Sequence, residues 1–236
     1  MMSLWSHCAP RTRAWIAFHI VSVIVGGLWL DITFGWTGQH LATAWTLGVF
    51  AWLYRRGRSL ERQALVLTTV ISGAGELFLS LVWGLYDYQF HNVPLFVPPG
   101  HALLMTLGIL AAQQMADSAR LVVGVVTAIA VVWALYVWQV NVDRFGVSLF
   151  GLYVVCIWFG SARTLYATMF VLALLMELYG TALGNWVWVS PSPWVNLSAA
   201  NPPFSAGAFY CALDLLVLSA LNAKFKGRLL AVISSP

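Results

Sequence analysis

The sequence contains very little charge. Asp, Glu, Lys and Arg together make up only 8% of its 236 residues, whereas an ordinary soluble domain carries about 25%. So few charged side chains cannot cover the surface of a water-soluble protein of this length. Soluble enzymes, nucleic-acid-binding domains and disordered chains are therefore excluded, and we expect no nucleic-acid partner.

Cysteine is also scarce, and the usual patterns of metal and cofactor binding are missing. Cys8, Cys156 and Cys211 lie far apart and form no Cys-x-x-Cys pair, which argues against a disulfide framework and a thiolate metal site. The histidines show none of the helical spacings that di-iron and zinc enzymes use. The sequence has no glycine-rich phosphate loop and no Gly-x-Ser-x-Gly motif. We therefore predict neither a cofactor nor a metal ion.

Long apolar runs account for most of the chain. Hydrophobic residues make up 61% of it, and a membrane-spanning helix needs about 20 of them in succession. The N-terminal run lacks a small-x-small cleavage site, so we predict that it is retained. The sequence predicts one all-α membrane domain over residues 1–236 with eight spans, at 14–31, 41–54, 64–85, 99–116, 119–140, 145–161, 165–184 and 204–222. The second span is short, so seven spans is the alternative.

The basic residues predict the orientation of the chain. With the N-terminus in the cytoplasm, every Lys and Arg except Arg144 lies in a cytoplasmic segment, as the positive-inside rule requires. We therefore predict a multi-pass integral membrane protein with both termini in the cytoplasm, in a bacterial inner membrane. Its expected partners are the bilayer and a hydrophobic small molecule or lipid, and formation of a homo-oligomer is left open.

Two segments share a layout that predicts an internal repeat. Each has a glutamate inside a span, a glycine, two alternating aromatic residues, a loop with asparagine and a Pro-Pro pair before the next span. These are Glu76, Gly84, Tyr86, Tyr88, Asn92 and 98–99 in one copy and Glu177, Gly184, Trp186, Trp188, Asn201 and 202–203 in the other. The layout indicates a four-plus-four duplication with halves at 10–117 and 118–228. Aromatic belts and helices that begin with proline are the alternative explanation.

Three acidic residues, Glu76, Glu177 and Asp214, lie inside predicted spans. A charged group at the centre of a bilayer costs about 2.5–3.5 kcal/mol, so each of them is a candidate catalytic residue. A helical rise of about 1.5 Å per residue puts all three near the middle of the membrane, where we expect them to face one cavity. An apolar cavity favours the neutral carboxyl group, which can donate a proton. The alternative is a carboxyl group that ties two helices together.

His101 and the residues near the glutamates complete the predicted site. His101 follows Pro-Pro-Gly at the start of a span, and we predict that it orients Glu76. A metal site on the outer side, formed by Asp87, His91, His101 and Glu76, remains an alternative. Aromatic rings can stabilise a cation or line a pocket for a lipid or polyene. The predicted substrate-binding residues are Tyr86, Tyr88, Asn92, Tyr179, Asn185, Trp186, Trp188 and Asn201.

The segment ELYGTALGNWVW, from Glu177 to Trp188, resembles the membrane-bound carotenoid hydratases of the bacterioruberin type. In that family a glutamate is followed by Gly-Thr, glycine and alternating aromatic residues. The segment GELFLSLVWGLYDYQFHNVPLFVPP is similar to the tyrosine and Val-Pro portion of the same pattern. The embedded acids also resemble those of small integral-membrane terpene cyclases. The resemblance implies that Glu76 or Glu177 protonates an isoprenoid double bond or epoxide, with Asp214 as a second acid or base.

These observations predict an intramembrane enzyme that acts on a hydrophobic isoprenoid or lipid by acid–base chemistry. It would be a cofactor-independent hydratase, cyclase or isomerase. A proton-coupled or facilitative transporter is the main alternative, because parallel repeats around a polar site at the midplane are typical of transporters. A structural subunit of a larger membrane complex is a third.

Overall fold

The computed structural model describes residues 4–224, and this part of the chain is predominantly helical. The prediction of a helical fold class is confirmed. The basic residues Lys226 and Arg228, which entered the orientation argument, lie outside the described residues. The helices are α1 (Pro10–Arg56), α2 (Ser59–Glu76), a π-helix (Leu77–Val82), α3 (Val97–Gln114), a 3-10 turn (Ala116–Ser118), α4 (Ala119–Val140), α5 (Arg144–Phe159), α6 (Arg163–Leu183) and α7 (Gly207–Lys224).

The long helix α1 folds back on itself at Gly35. This residue has a φ of +56° and a ψ of −135°, a backbone conformation that is essentially restricted to glycine. On the two sides of the break, the His19 ring stacks on Trp52 at 5.3 Å, and the Gln39 amide donates a hydrogen bond to Asp31. Helix α1 therefore consists of two antiparallel arms, 10–34 and 36–56.

Four helical segments are long and apolar enough to cross a membrane: Pro10–Arg56, Ser59–Val82, Ala116–Val140 and Arg163–Leu183. The apolar helices Arg144–Phe159 and Gly207–Ala223 are shorter. The described part of the chain thus contains fewer qualifying helices than the eight predicted spans. One reason is that the first two predicted spans fall within α1. The other is that α3, α5 and α7, with 18, 16 and 18 residues, are shorter than about 20 residues, the length of a typical span.

Helices α2, α3, α6 and α7 form the centre of the bundle. Helix α2 packs on α3 and α7, and α6 packs on α3 and α7. Helix α1 covers α3 on one side, while α4 and α5 pack on α6 and α7 on the other. The outer surface carries large exposed apolar side chains such as Val132, Leu135 and Trp158. Extensive exposed apolar surface is typical of a membrane-facing protein.

Two short strands, β1 (Tyr86–Tyr88) and β2 (Trp186–Trp188), form an antiparallel pair. In this pair Tyr86 lies opposite Trp188, and Tyr88 lies opposite Trp186. Each strand follows a helix that carries one of the embedded glutamates, and the four aromatic side chains are buried. Alternate residues of a strand share a face, so all four rings point towards the helices.

Candidate functional site

A cavity of about 450 Å³ lies between α1, α2, α3, α6 and α7 and is also lined by both strands. Its wall is mainly apolar, but Glu76, Glu177 and His101 all face it. Ligand pockets in proteins typically enclose about 300–1,000 Å³, are largely apolar and contain a few converging polar groups. The cavity therefore has the size and lining of a small-molecule site.

Glu76 ends α2 and is buried. Its Oε2 atom accepts hydrogen bonds from the hydroxyl groups of Tyr86 and Tyr88, both at 2.8 Å. Nε2 of His101 lies 3.1 Å from Oε1 of Glu76. Burial, together with the charge of Glu76, raises the pKa of both tyrosines well above its usual value. The two hydroxyl groups therefore keep their protons and act as donors.

Glu177 lies in α6 and is also buried. Its Oε2 atom accepts hydrogen bonds from the indole N–H groups of Trp186 and Trp188, at 2.8 and 3.0 Å. The Tyr210 hydroxyl donates to Oε1 at 3.1 Å. An indole N–H can only donate, so Oε2 has to remain an acceptor. A proton on this carboxyl group would therefore reside on Oε1, facing Tyr210.

The rings of His101 and Tyr210 connect the two glutamates. They stack with their centroids 4.7 Å apart and their planes 16° from parallel. Nδ1 of His101 is buried and has no hydrogen-bond partner among residues 4–224. When Nε2 carries the proton, Nδ1 is an acceptor. This nitrogen is therefore a buried acceptor enclosed by the surrounding protein, and Nε2 is the nitrogen that contacts Glu76.

Most of the predicted catalytic and aromatic residues lie together in this cavity. The predicted residues that line it are Glu76, Glu177, His101, Tyr86, Tyr88, Trp186 and Trp188. The glutamates are brought together because α2 and α6 both pack in the centre of the bundle.

Asp214 does not line the cavity, so the expectation that all three acids share one cavity is wrong. The residue before it, Leu213, does line the cavity. Successive residues of a helix differ by about 100° in direction, which turns Asp214 towards α5 and α6. Its side chain is fully buried, and neither carboxyl oxygen has a hydrogen-bond partner among the described residues.

Asn185 supports the strand pair and does not line the cavity. Its side-chain amide donates to Oδ2 of Asp31 at 2.8 Å and to the carbonyl oxygen of Leu28 at 3.0 Å. Gln89, directly after β1, donates to the carbonyl oxygen of Asp31 at 3.0 Å. Asp31 is itself buried. The end of the first arm of α1 therefore holds one end of each strand.

Three further predicted substrate-binding residues also make contacts outside the cavity. The Tyr179 hydroxyl donates to the carbonyl oxygen of Val25 on α1 at 3.2 Å. The Asn92 amide donates to the Gln39 side chain at 2.9 Å. The Asn201 side chain accepts a hydrogen bond from the backbone N–H of the second tryptophan of β2 at 3.0 Å. Asn92 and Asn201 therefore fasten the loops next to the strands, and Tyr179 connects α6 to α1.

The described residues form no cluster that matches the alternative of an outer metal site. Within residues 4–224, no group of three or more His, Cys, Asp and Glu side chains could hold a metal ion. His91 pairs with Asp87, and both are exposed. Glu76 and His101, the other two residues of that alternative, pair with each other in the buried cavity.

Tyr210, which lines the cavity, and Asp31, which holds the strand pair, are the residues of this region that sequence reasoning missed. In the first copy His101 lies two residues beyond the Pro-Pro pair, whereas Tyr210 lies seven residues beyond Pro203. Comparison by equal spacing therefore does not pair Tyr210 with His101. Asp31 is an acid at the end of the first predicted span, and that position was the available signal. Searches with the chain against protein-family models, curated proteins and solved structures find no match.

Proposed function

We propose that this protein is an intramembrane enzyme that acts on a hydrophobic isoprenoid or lipid by acid–base chemistry. The observation that carries the proposal is the pair of buried carboxyl groups, Glu76 and Glu177, in one apolar cavity. Their hydrogen-bond partners differ, because only Glu76 contacts a histidine. Two carboxyl groups in different environments at one site are a typical arrangement for an acid and a base.

Glu177 is the proposed acid. Its two indole partners occupy Oε2, so a transferable proton lies on Oε1 beside Tyr210. This proton passes to one carbon of a double bond and leaves a positive charge on the neighbouring carbon. The rings of Tyr86, Trp186 and Trp188 line the cavity around that charge. A cation over an aromatic face gains about 0.5–2 kcal/mol per contact.

Glu76 is the proposed base, and His101 orients it. The two tyrosine hydroxyl groups on Oε2 and Nε2 of His101 beside Oε1 hold the carboxylate in place. The carboxylate of Glu76 then takes a proton from a water molecule that adds to the cation, or from the adjacent carbon of the substrate. The first outcome is hydration and the second is isomerisation or cyclisation. The cycle closes when this proton returns to Glu177, so no other reactant is consumed.

The proposal includes a topology of eight spans in two parallel halves, 10–117 and 118–228, with both termini in the cytoplasm of a bacterial cell. The break at Gly35 supports the eight spans because it divides α1 into two arms. The matching order of glutamate helix, glycine and aromatic strand after α2 and α6 supports the duplication. An antiparallel strand pair between the halves agrees with a local two-fold axis along the membrane normal.

The substrate class rests on the resemblance to carotenoid hydratases and terpene cyclases and on the apolar wall of the cavity. The proposed substrate is therefore an isoprenoid chain with a double bond or epoxide near its end. A transporter would use the same carboxyl groups to carry protons, and the experiment below separates the two functions.

The test compares the hydrophobic metabolites of membranes from cells that express the wild type, Glu76→Gln, Glu177→Gln or no protein. Mass spectrometry should find an isoprenoid or lipid converted by the wild type. General acid–base catalysis contributes about 10²–10⁴-fold, so each variant should lose at least about a hundredfold. Asp117→Asn, at an exposed acid on the 3-10 turn, is the matched control and should keep full activity.

The variants need to fold for this comparison to count, and thermal unfolding in detergent checks that. A wild type that leaves every extractable lipid unchanged contradicts the enzyme proposal. Proton-coupled uptake in proteoliposomes, abolished by the same two variants, would then establish the transporter in its place.

A further inference from the structure

We propose that the cavity opens sideways into the lipid bilayer through a slot between α2 and α7, and that the end of an extended apolar chain enters by this slot. The inference deepens the proposed function by giving the substrate's shape and route. The slot can be tested without any chemical conversion, and so independently of that function.

The slot is formed by one face of each helix. Residues spaced i, i+3, i+4 and i+7 lie on the same side of a helix. From α2 and its π-helical extension, the residues that line the cavity in this spacing are Ile71, Ala74, Gly75 and Phe78. From α7 they are Phe209, Ala212, Leu213 and Leu216. Both faces are therefore continuous walls of the cavity.

The most exposed part of the cavity lining lies along this slot. Three of its lining residues are exposed, and all three belong to the slot: Ala74, Phe78 at 44% and Leu216 at 58%. The remaining lining residues are buried or half-buried. The segment Ser59–Val82 is apolar and long enough to cross a membrane. The opening beside it therefore faces lipid chains.

The apolar lining of the slot favours an apolar ligand. Neither face contributes a charged or hydrogen-bonding side chain to the lining, and Ala74, Gly75 and Ala212 place little side-chain volume between the helices. A polar ligand would lose its hydration there without gaining partners, which is costly. An apolar chain from the bilayer loses nothing. Because Gly75 adjoins Glu76, such a chain reaches the carboxyl groups as soon as it has passed the slot.

The experiment uses a linear isoprenoid hydrocarbon that ends in a photoactivatable diazirine, dissolved in phosphatidylcholine vesicles that contain the purified protein. After illumination, peptide mass spectrometry locates the label. We expect label at Glu76 or Glu177 and along the two slot faces. Ala74→Trp and Leu216→Trp narrow the slot from its exposed side, and each should reduce cavity labelling at least tenfold. Phe78→Ala widens the slot and should increase it.

Val132→Trp is the matched control, since it adds the same side chain at an exposed position of α4 away from the cavity. Its cavity labelling should equal that of the wild type. Wild-type labelling that persists in both slot variants, or a wild-type cavity without label, overturns the slot. If lipid conversion persists in these variants, the enzyme function is supported and the slot is not. If the slot variants lose cavity labelling but the wild type converts no lipid, the slot is supported and the enzyme function is not.

Discussion

Glu76 and Glu177 share a cavity, but a different set of donors holds each of them. Three neutral donors surround Glu177, and Tyr210 is the only one that contacts Oε1. Glu76 has two tyrosines on one oxygen and a histidine on the other. Individual hydrogen bonds therefore determine which carboxyl oxygen carries the mobile proton.

Tyr210→Phe tests this assignment because it removes one hydrogen bond and keeps the ring that stacks on His101. Once Glu177 has given up its proton, Tyr210 donates to a carboxylate. A hydrogen bond to a charged group is worth about 1.5–3 kcal/mol, so we expect conversion of the substrate to fall by about ten- to a hundredfold. Initial rates from membranes of equal protein content measure the effect. Tyr136→Phe, at an exposed tyrosine of α4, should keep the wild-type rate, and an unchanged rate in Tyr210→Phe would contradict the role of Oε1.

Asp214 differs from the two glutamates because neither of its carboxyl oxygens has a hydrogen-bond partner among the described residues, although its side chain is fully buried. A buried polar group without partners costs about 1–3 kcal/mol. We therefore expect Asp214→Val, an apolar change of similar volume, to raise the unfolding temperature in detergent. Substrate conversion should stay within about twofold, because a change outside the cavity removes no reacting group. Loss of conversion in a stable variant would restore Asp214 as a second acid or base.

The two glutamate-bearing helices differ in their geometry beyond the glutamate. After Glu76 the chain continues as the π-helix Leu77–Val82, whereas α6 continues as an α-helix to Leu183. π-helical turns are rare and are frequently found at functional sites. Here the π-helix carries Phe78, an exposed wall of the slot. The two copies of the repeat layout are thus similar around the carboxyl groups and different at the proposed slot.

The break in α1 determines where the second arm of this helix lies, and the break occurs at a single residue, Gly35. Gly35→Ala puts a side chain on a backbone with positive φ, which costs about 1–3 kcal/mol. Gly48→Ala, in the second arm, meets no atom within 4 Å and should stabilise the helix by about 0.5–1 kcal/mol. Thermal unfolding of the two variants in the same detergent should therefore shift in opposite directions. Equal shifts would mean that Gly35 does not control the fold of α1.

The proposed topology assigns each loop of the molecule to one side of the membrane. Ser118, between α3 and α4, should face the cytoplasm, and Val195, between β2 and α7, should face outwards; both are exposed. We expect Val195→Cys to react with a membrane-impermeant maleimide in intact cells. Ser118→Cys should react only after lysis. A Cys8→Ser background removes the half-buried native thiol, and the reverse pattern would invert the orientation.

The scarcity of charge and the length of the apolar runs were enough to predict a helical membrane protein. These properties act through the solvent. A chain with 8% charged residues is suited to a bilayer, where backbone groups must pair within the protein, and a continuous apolar run of about 20 residues does this as a helix. The repeated order of glutamate, glycine and alternating aromatic residues also identified Glu76 and Glu177 with most of their partners. That local order was readable because neighbouring residues in a strand or helix have defined directions.

The packing of helices far apart in the sequence produced the rest of the site. Tyr210 meets Glu177, and Asp31 meets Asn185, across long stretches of chain, and local spacing contains no information about such pairs. Asp214 turns away from the cavity although it lies only one residue beyond Leu213. The direction of a side chain is set by the rotation of its helix against its neighbours, which depends on how all the contacting surfaces fit together.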